Sequence, residues 1–529
     1  CYEEQVVPPY WPWVQAIRSY VRDSNPQTLR TELGAGAGDM AEIVSDIKVQ
    51  LPDIGPPIQL NNPEQERFRL FDSISTFLRS VSNRQPLVVM LDDLHWSDVP
   101  SLMLLQFVAK ELSGARILLV GTYRDVELSR RHPLAETLGE LTRERLFERV
   151  LLRGLTSDDV HRFIEMTSDI TPPQRLVRAV HTQTEGNPLF VTEVVRLLVQ
   201  EGELTPTQVR ERESWEIRVP EGVREVLGRR LNRLSERCNE TLTVASVIGR
   251  EFTLEQLDGM IDDLTSDMLL DVLEEGLTAK IIEELPTTVG LFQFTHALIQ
   301  ETLIDEPSLT RRVRLHASIA TMLEKLWANN LDDHAAELAH HFAQAEASVG
   351  PEKLITYAIM AGERAMNTYA YEEAKQQFSQ AISATTDETP DKDMARIHHG
   401  LGSAMLPLAK FDARQEMWNH LSAAFELFLK EGDVAQALAV ASTPIQAAGI
   451  VGVSNVVDRA VKLSEPGSLQ EGWLRTRQVT GGHDERSIET LKAALQIADD
   501  HGNLALRARV YGHFARLPSW DVNPVTAIE

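Results

Sequence analysis

Cysteine is nearly missing from this sequence. Cys1 and Cys238 are the only two in 529 residues, too few for a disulfide framework or, by themselves, a metal set, and a reducing cytoplasm is the expected setting. Long apolar runs are missing as well: none approaches the roughly 18 residues that would span a bilayer, so no membrane insertion is expected. Positive charge is scarce, with 52 Lys and Arg against 78 Asp and Glu and a formal charge of −26. Such a balance repels a polyphosphate backbone and argues against direct nucleic-acid binding by this segment. No Gly-Lys pair occurs, so the phosphate-cradling loop G-x-x-x-x-G-K-[ST] is absent. An initiator Met and a signal-like leader are absent too, and the chain reads as a piece of something longer.

What is present is ordinary globular material, 43% hydrophobic and 25% charged, long enough for three or four cores. "PLVVMLDDLHWSD" (86–98) sets a short β-prone run, Leu87 to Leu91, against two adjacent acids, Asp92 and Asp93. Its continuous apolar character predicts a strand buried on both faces of a parallel sheet. Ser97 or Asp98 is expected to cap the next helix, with Pro100 in its first turn and Leu102, Leu105, Ala109 and Leu112 along one face, and Gly114 ends it. "RILLVGTYRD" supplies a second strand and Arg124. Strand, helix and strand make a parallel βαβ unit whose ligands bind beyond the carboxyl ends of the strands, where Asp92, Asp93 and Arg124 all fall. An acid pair there can hold Mg²⁺ and orient water, and an arginine beside it can sense a γ-phosphate.

Beyond Leu155 the chain turns helical: "GLTSDDV" reads as a cap and helix start, and "VPEGVREVLGRRLNRL" starts a further helical run. Strand signals return only past residue 280, where "KIIEELPTTVGLFQFTHALIQETL" reads as a short hairpin leading into a helix. After about residue 330 an Ala-rich stretch suggests helical hairpin repeats, with Gly432 and Gly502 at matching places two tetratricopeptide-like periods apart; the intervals from Tyr371 and Phe411 do not fit that period. "LGAGAGDM", with Gly34, Gly36 and Gly38, has no strand before it and no lysine after it, so a flexible interhelical loop is expected rather than a phosphate site. Trp11 and Trp13 read as packing residues, and the His340-His341 and His398-His399 pairs lack partners at metal-ligand spacing.

Taken in order, "LVVMLDDLHWSD", "ILLVGTYRD", "TEGNPLFVTEVVRLL", "FQFTHALIQETL" and "RVRLHASIA" resemble the STAND class of P-loop NTPases over roughly residues 1 to 385. More narrowly they resemble bacterial members found in LuxR-type regulators and in proteins joined to adenylate cyclase or Ser/Thr kinase domains. The resemblance implies a multidomain fold: an N-terminally truncated α/β parallel-sheet NTPase core (1–154), a helical lid (155–215), a winged helix (216–328) and a C-terminal α-helical repeat solenoid (329–529). It makes Asp92 and Asp93 the Walker B pair, with Asp92 beside the metal, and Arg124 the sensor arginine. Gly186, Asn187 and Pro188 become the turn that packs against the nucleotide base, and His296 the histidine that reaches the β-phosphate of ADP.

The implied cofactors are ATP or ADP and Mg²⁺, the implied activity a slow switch-type ATPase, and the implied partner a protein or small-molecule effector at the repeats. A nucleotide-dependent oligomer is compatible with the class. The missing phosphate loop is expected upstream of Cys1, and without it this segment should bind nucleotide poorly. The competing reading is a nucleotide-independent interaction scaffold. A metal-dependent hydrolase built on the two acids alone would need further convergent ligands, which the spacing does not supply.

Overall fold

The computed structural model describes residues 8–57, 62–124, 128–129, 132–143, 147–168, 170–184, 186–200, 204, 231, 233–261, 264–285, 288–408, 413–445, 450–479 and 485–515. The chain forms two compact units, one of residues 1–145 with 327–529 and one of residues 146–326. The helical run expected from residue 219, the 215/216 boundary and Phe411 lie outside the described residues.

In the first unit, β1 (Leu87–Leu91) pairs in parallel with β2 (Ile117–Gly121), joined through the Val99–Glu111 helix. Asp98 is the cap of that helix, its side chain accepting from the Ser101 N–H, and Pro100 occupies the first turn. Burial on both faces is not what β1 has. Val89 and Leu91 are buried at 6% and 2% exposure, whereas Val88 and Met90 stand 62% and 63% exposed. The reason is one-sided cover: the helices Trp11–Asp23 and Pro63–Arg84 come against the pair, and Leu118 on β2 is likewise open at 59%.

Trp13 is fully buried and its indole N–H donates to the Ser101 carbonyl at 3.1 Å, as a packing residue with a polar handle should. The glycine-rich stretch is wound rather than loose. Gly34–Gly36 is a 3₁₀ turn running into the Ala37–Ile43 helix. A Cβ on Gly36 would meet Ser73 Cβ at 2.6 Å, and one on Gly38 the Gly55 carbonyl at 2.9 Å. Close backbone approach is what Gly36 and Gly38 provide, while Gly34, at φ 53°, provides a left-handed helix end.

The same unit carries consecutive helices from Ala335–Val349 to Leu504–Phe514, each lying against the next. Three of the turns share one geometry. Gly432 (φ 79°) and Gly502 (φ 61°) end their helices in the left-handed region. The following residues, Asp433 and Asn503, donate their N–H back to Phe428 and Ala498, each at 2.8 Å. Tyr369 (φ 60°) does the same with a side chain present, and Ala370 donates to Ala365 at 2.9 Å. The spacing that failed to extend through Tyr371 therefore conceals a matching turn built without glycine. His398 Nδ1 lies 2.8 Å from His420 Nδ1, and His399 meets Phe428 edge-on, so these histidines sit in helix contacts.

The second unit begins with three helices, Ser157–Ser168, Gln174–Thr184 and Pro188–Gln200, around Val160, Ile164, Val177, Val180, Val191 and Val195. Thr156 and Asp159 cap the first of them reciprocally: the Thr156 N–H donates to Asp159 Oδ2 at 3.0 Å, and the Asp159 N–H donates to Thr156 Oγ1 at 3.2 Å. Further on, the predicted hairpin forms as β4 (Ile282–Glu284) and β5 (Leu291–Phe294), followed by the Ala297–Asp305 helix. β5 also pairs with β3 (Glu251–Thr253), giving the antiparallel order β3-β5-β4. Three residues are too few for alternation to register, so β3 had no sequence signal. Cys238 is buried with its Sγ 3.5 Å from the Val272 carbonyl of the Ser266–Thr278 helix, and burial first, then Glu275, pushes its thiol up to about 12, leaving it inert.

Phe378, fully buried, is clasped by two glycines on neighbouring helices: a Cβ on Gly362 would meet its ring at 2.8 Å, and one on Gly400 would run into it. Gly400→Ala is therefore expected to cost about 1–3 kcal/mol by overpacking, read as a lowered urea midpoint with an unchanged slope.

Candidate functional site

The carboxyl ends of β1 and β2 are stitched together by one side chain, Thr122. Its backbone N–H donates to the Leu91 carbonyl at 3.1 Å and its carbonyl accepts from the Leu94 N–H at 2.8 Å, extending the parallel ladder past the strands. Its hydroxyl accepts from the Asp93 N–H at 3.0 Å and donates to Asp92 Oδ1. Asp93 takes φ 55°, a left-handed conformation that a short acidic side chain tolerates better than most. The kink sends consecutive acids in different directions. Asp92 is exposed beyond the strand end, while Asp93 Oδ1 lies 3.9 Å from Nε2 of the buried His95.

Arg124 comes to the same place from β2. Its backbone N–H donates to His95 Nδ1 at 3.4 Å, and its guanidinium carbon lies 5.1 Å from the Trp96 ring centre. Asp92, Asp93 and Arg124, expected together from the order of strands, are together. Thr122, His95 and Trp96 complete the arrangement, and sequence reasoning did not single them out. The available signal was a hydroxyl at the end of β2, directly opposite the acid that ends β1.

Among the described residues no group of three or more His, Cys, Asp and Glu side chains is arranged to hold a metal ion. The acids are not a cage. They fit the lesser share that Mg²⁺ asks of a protein, one or two carboxylates, with water and phosphate oxygens supplying the rest of its octahedron.

The remaining candidates lie in the second unit. Gly186 has φ 72°, its carbonyl accepts from the Leu155 N–H at 2.6 Å, and a Cβ there would strike the Leu155 backbone. Asn187 Oδ1 accepts from the Leu189 N–H at 3.0 Å, capping the helix that Pro188 opens, and the Pro188 ring is exposed. The turn is thus accounted for as a helix-to-helix joint that leaves a proline outward. His296 follows β5, half-buried, and its carbonyl accepts from the Ile299 N–H at 3.0 Å at the start of the next helix.

Thr122→Val keeps the shape and removes both side-chain bonds. It is expected to cost about 1–3 kcal/mol by leaving the Asp93 N–H without its acceptor, with Thr122→Ser close to wild type; urea unfolding of the three proteins measures it.

Comparison with known proteins reaches both units of the chain. Residues 1–120 match the AAA ATPase domain family, and residues 171–205, which include the Gly186–Pro188 turn, match a domain of unknown function (DUF8739). An uncharacterized protein of Rhizobium meliloti (strain 1021) is 27% identical over 339 residues, covering 62% of this chain and 31% of that protein. The chain therefore spans about a third of the length of the relative it matches. Among the described residues no helix is long and apolar enough to cross a membrane. The segment that carries the stitched acid pair is related to the AAA and P-loop ATPases.

Proposed function

We propose that the protein is a nucleotide-dependent regulatory ATPase of the STAND type, in which ATP or ADP sets the state and the helical repeats take an effector. The observation that carries this reading is the Thr122-bridged pair Asp92 and Asp93 beyond the carboxyl ends of two parallel strands, with Arg124 beside it; the acids lie inside the segment that matches an ATPase family, and Thr122 and Arg124 just past its end. Bound Mg²⁺ would neutralise charge on the phosphates. Asp92, exposed, would stand in its hydration shell, Asp93 would orient the attacking water, and Arg124 would meet the γ-phosphate.

Pro188, outward on its turn, would contact the base, and His296 would distinguish ADP from ATP at the β-phosphate. A ligand shifts a switch only by its differential affinity for the two states, which is why His296 is the residue whose contact must differ between them. Under this reading residues 1–154 are the core, 155–215 the lid, 216–328 a winged helix and 329–529 tetratricopeptide-like repeats. The phosphate loop would come from sequence upstream of Cys1. One observation favours the alternative, a nucleotide-independent scaffold: the sequence contains no Gly-Lys pair.

The test is nucleotide content and hydrolysis of the protein extended upstream of Cys1. The wild type is expected to retain ADP and hydrolyse ATP slowly, Asp92→Asn to bind without hydrolysis, and His296→Ala to lose ADP on gel filtration. An extended wild type that carries no nucleotide and hydrolyses none ends the switch reading in favour of the scaffold.

A further inference from the structure

Within the repeats, the Asp391–Met405 and Arg414–Lys430 helices lie against one another as a hairpin. A glycine brings them close, since a Cβ on Gly402 would meet Leu421 Cγ at 2.7 Å. Lys430 pairs with Asp391 at one end, and Ala395 shares an apolar cluster with Trp418, Leu421 and Phe425. Into this seam each helix sends one imidazole. His398 Nδ1 and His420 Nδ1 lie 2.8 Å apart, and both residues are half-buried.

The two rings meet head-on. Their centres are 5.0 Å apart, which is the 2.8 Å between the nitrogens plus roughly 1.1 Å from each nitrogen to its own ring centre. Two facing lone pairs would repel and two facing hydrogens would clash, so one Nδ1 carries hydrogen and the other accepts it. A shared metal would instead need both lone pairs to converge on a point off that line, and among the described residues no third ligand is arranged to join them. A first added proton is tolerated: the donor ring takes it at Nε2 and the bond persists, charge-assisted. A second is not, because it puts hydrogen on both facing nitrogens and brings two cations into contact.

We infer that His398 and His420 form a proton-read joint in the repeats: the hairpin is closed here while at least one ring of the pair is neutral, and opens when both are protonated. His399, the next residue, lines a cavity of about 560 Å³ with Arg396 of its own helix, Phe428 of the other and Gln436 of the Val434–Ser442 helix. Opening the joint therefore changes the wall of that cavity.

Few charges face the pair. Among the described residues, His420 is the group whose charge bears on His398, and Glu416, one turn before His420, is the one that bears on His420. The Val434–Ser442 helix, packed on the Arg414–Lys430 helix, has no titratable side chain. From the Glu352–Asn367 helix Glu363 faces His399 and is held by two bonds from Arg396. Glu372, Glu373 and Lys375 of the Tyr371–Ser383 helix bear on neither ring of the pair, nor do Asp458, Arg459 and Lys462 of the Val453–Leu463 helix.

Burial first, and His420 second, hold His398 below its ordinary 6.5; burial does the same for His420, against the opposing pull of Glu416. The sign follows from linkage. Open, both rings protonate near 6.5; closed, the pair keeps one of them neutral to lower pH. The closed form is thus fully favoured above the ordinary value, and each pH unit below it favours the open form by about tenfold for each proton held in excess. The joint uses neither nucleotide nor effector, so it stands or falls separately from the switch.

The test is amide hydrogen exchange on the full chain from about pH 5 to 8, corrected for intrinsic exchange rates. In the wild type, protection over 395–402 and 417–424 is expected to hold steady above about pH 6.5 and to fall by about tenfold per unit below it. The Pro63–Arg84 helix, which contains no histidine, is expected to keep its protection. The double variant His398→Asn/His420→Asn keeps hydrogen-bonding amides that do not titrate; with an unchanged circular dichroism spectrum, it is expected to give a flat profile, and His399→Gln to keep the wild-type fall. Nitrogen-15 spectra of the wild-type histidines at about pH 8, assigned with the single Asn variants, are expected to show one ring of the pair as the Nδ1–H tautomer. The joint is overturned by a flat wild-type profile, a fall shared equally by the Pro63–Arg84 helix, a fall that survives in the double variant or vanishes in His399→Gln, or two Nε2–H rings.

Discussion

A single half-buried carboxylate, Asp98, is the constraint on which the first unit depends. Three donors converge on it from its own helix and from Tyr10, and their convergence fixes where the Val99–Glu111 helix begins. The position of that helix sets the loop of residues 92–98, since only the short turn Leu94–Trp96 intervenes between the acid pair and the cap. Burying an acid costs free energy unless hydrogen bonds replace its water, and here they do. Loop, helix and the segment before the Trp11–Asp23 helix therefore share one residue.

The acid pair depends on a second economy of the same kind. Thr122 serves four hydrogen bonds with three polar groups, two through backbone and two through its hydroxyl, and in doing so continues a two-stranded ladder beyond its last strand residue. A parallel pair this small is weak alone. Fastening the two strand ends to each other holds Asp92, Asp93 and Arg124 at one rim without a third strand between them.

Much of this was legible in the sequence, and for stated physical reasons. Leu87–Leu91, the Asp98 cap and the β4–β5 hairpin are local: chain propensity and capping chemistry determine them, and they appear where expected. What eluded the reading was tertiary. Continuous apolar residues in β1 suggested two covered faces, yet cover depends on what packs there, and one face is open. The glycines at 34, 36 and 38 looked like slack, yet Gly36 is a contact point for a helix 37 residues further along at Ser73, and Gly38 lies against the Gly55 backbone. Tyr369 hid a turn because a non-glycine residue in the left-handed region leaves no mark in the sequence. At the site, Thr122 was passed over because a hydroxyl earns its importance only when the opposite strand end is known.

Val88, Met90 and Leu118 give the small sheet an adhesive side on a molecule whose formal charge is −26. Like-charged molecules keep such surfaces apart at low ionic strength, but at physiological salt repulsion is screened beyond about 8 Å. Adding salt, the usual remedy for a precipitating acidic protein, would here bring the greasy sides within reach of one another, and dilute buffer is the gentler solvent.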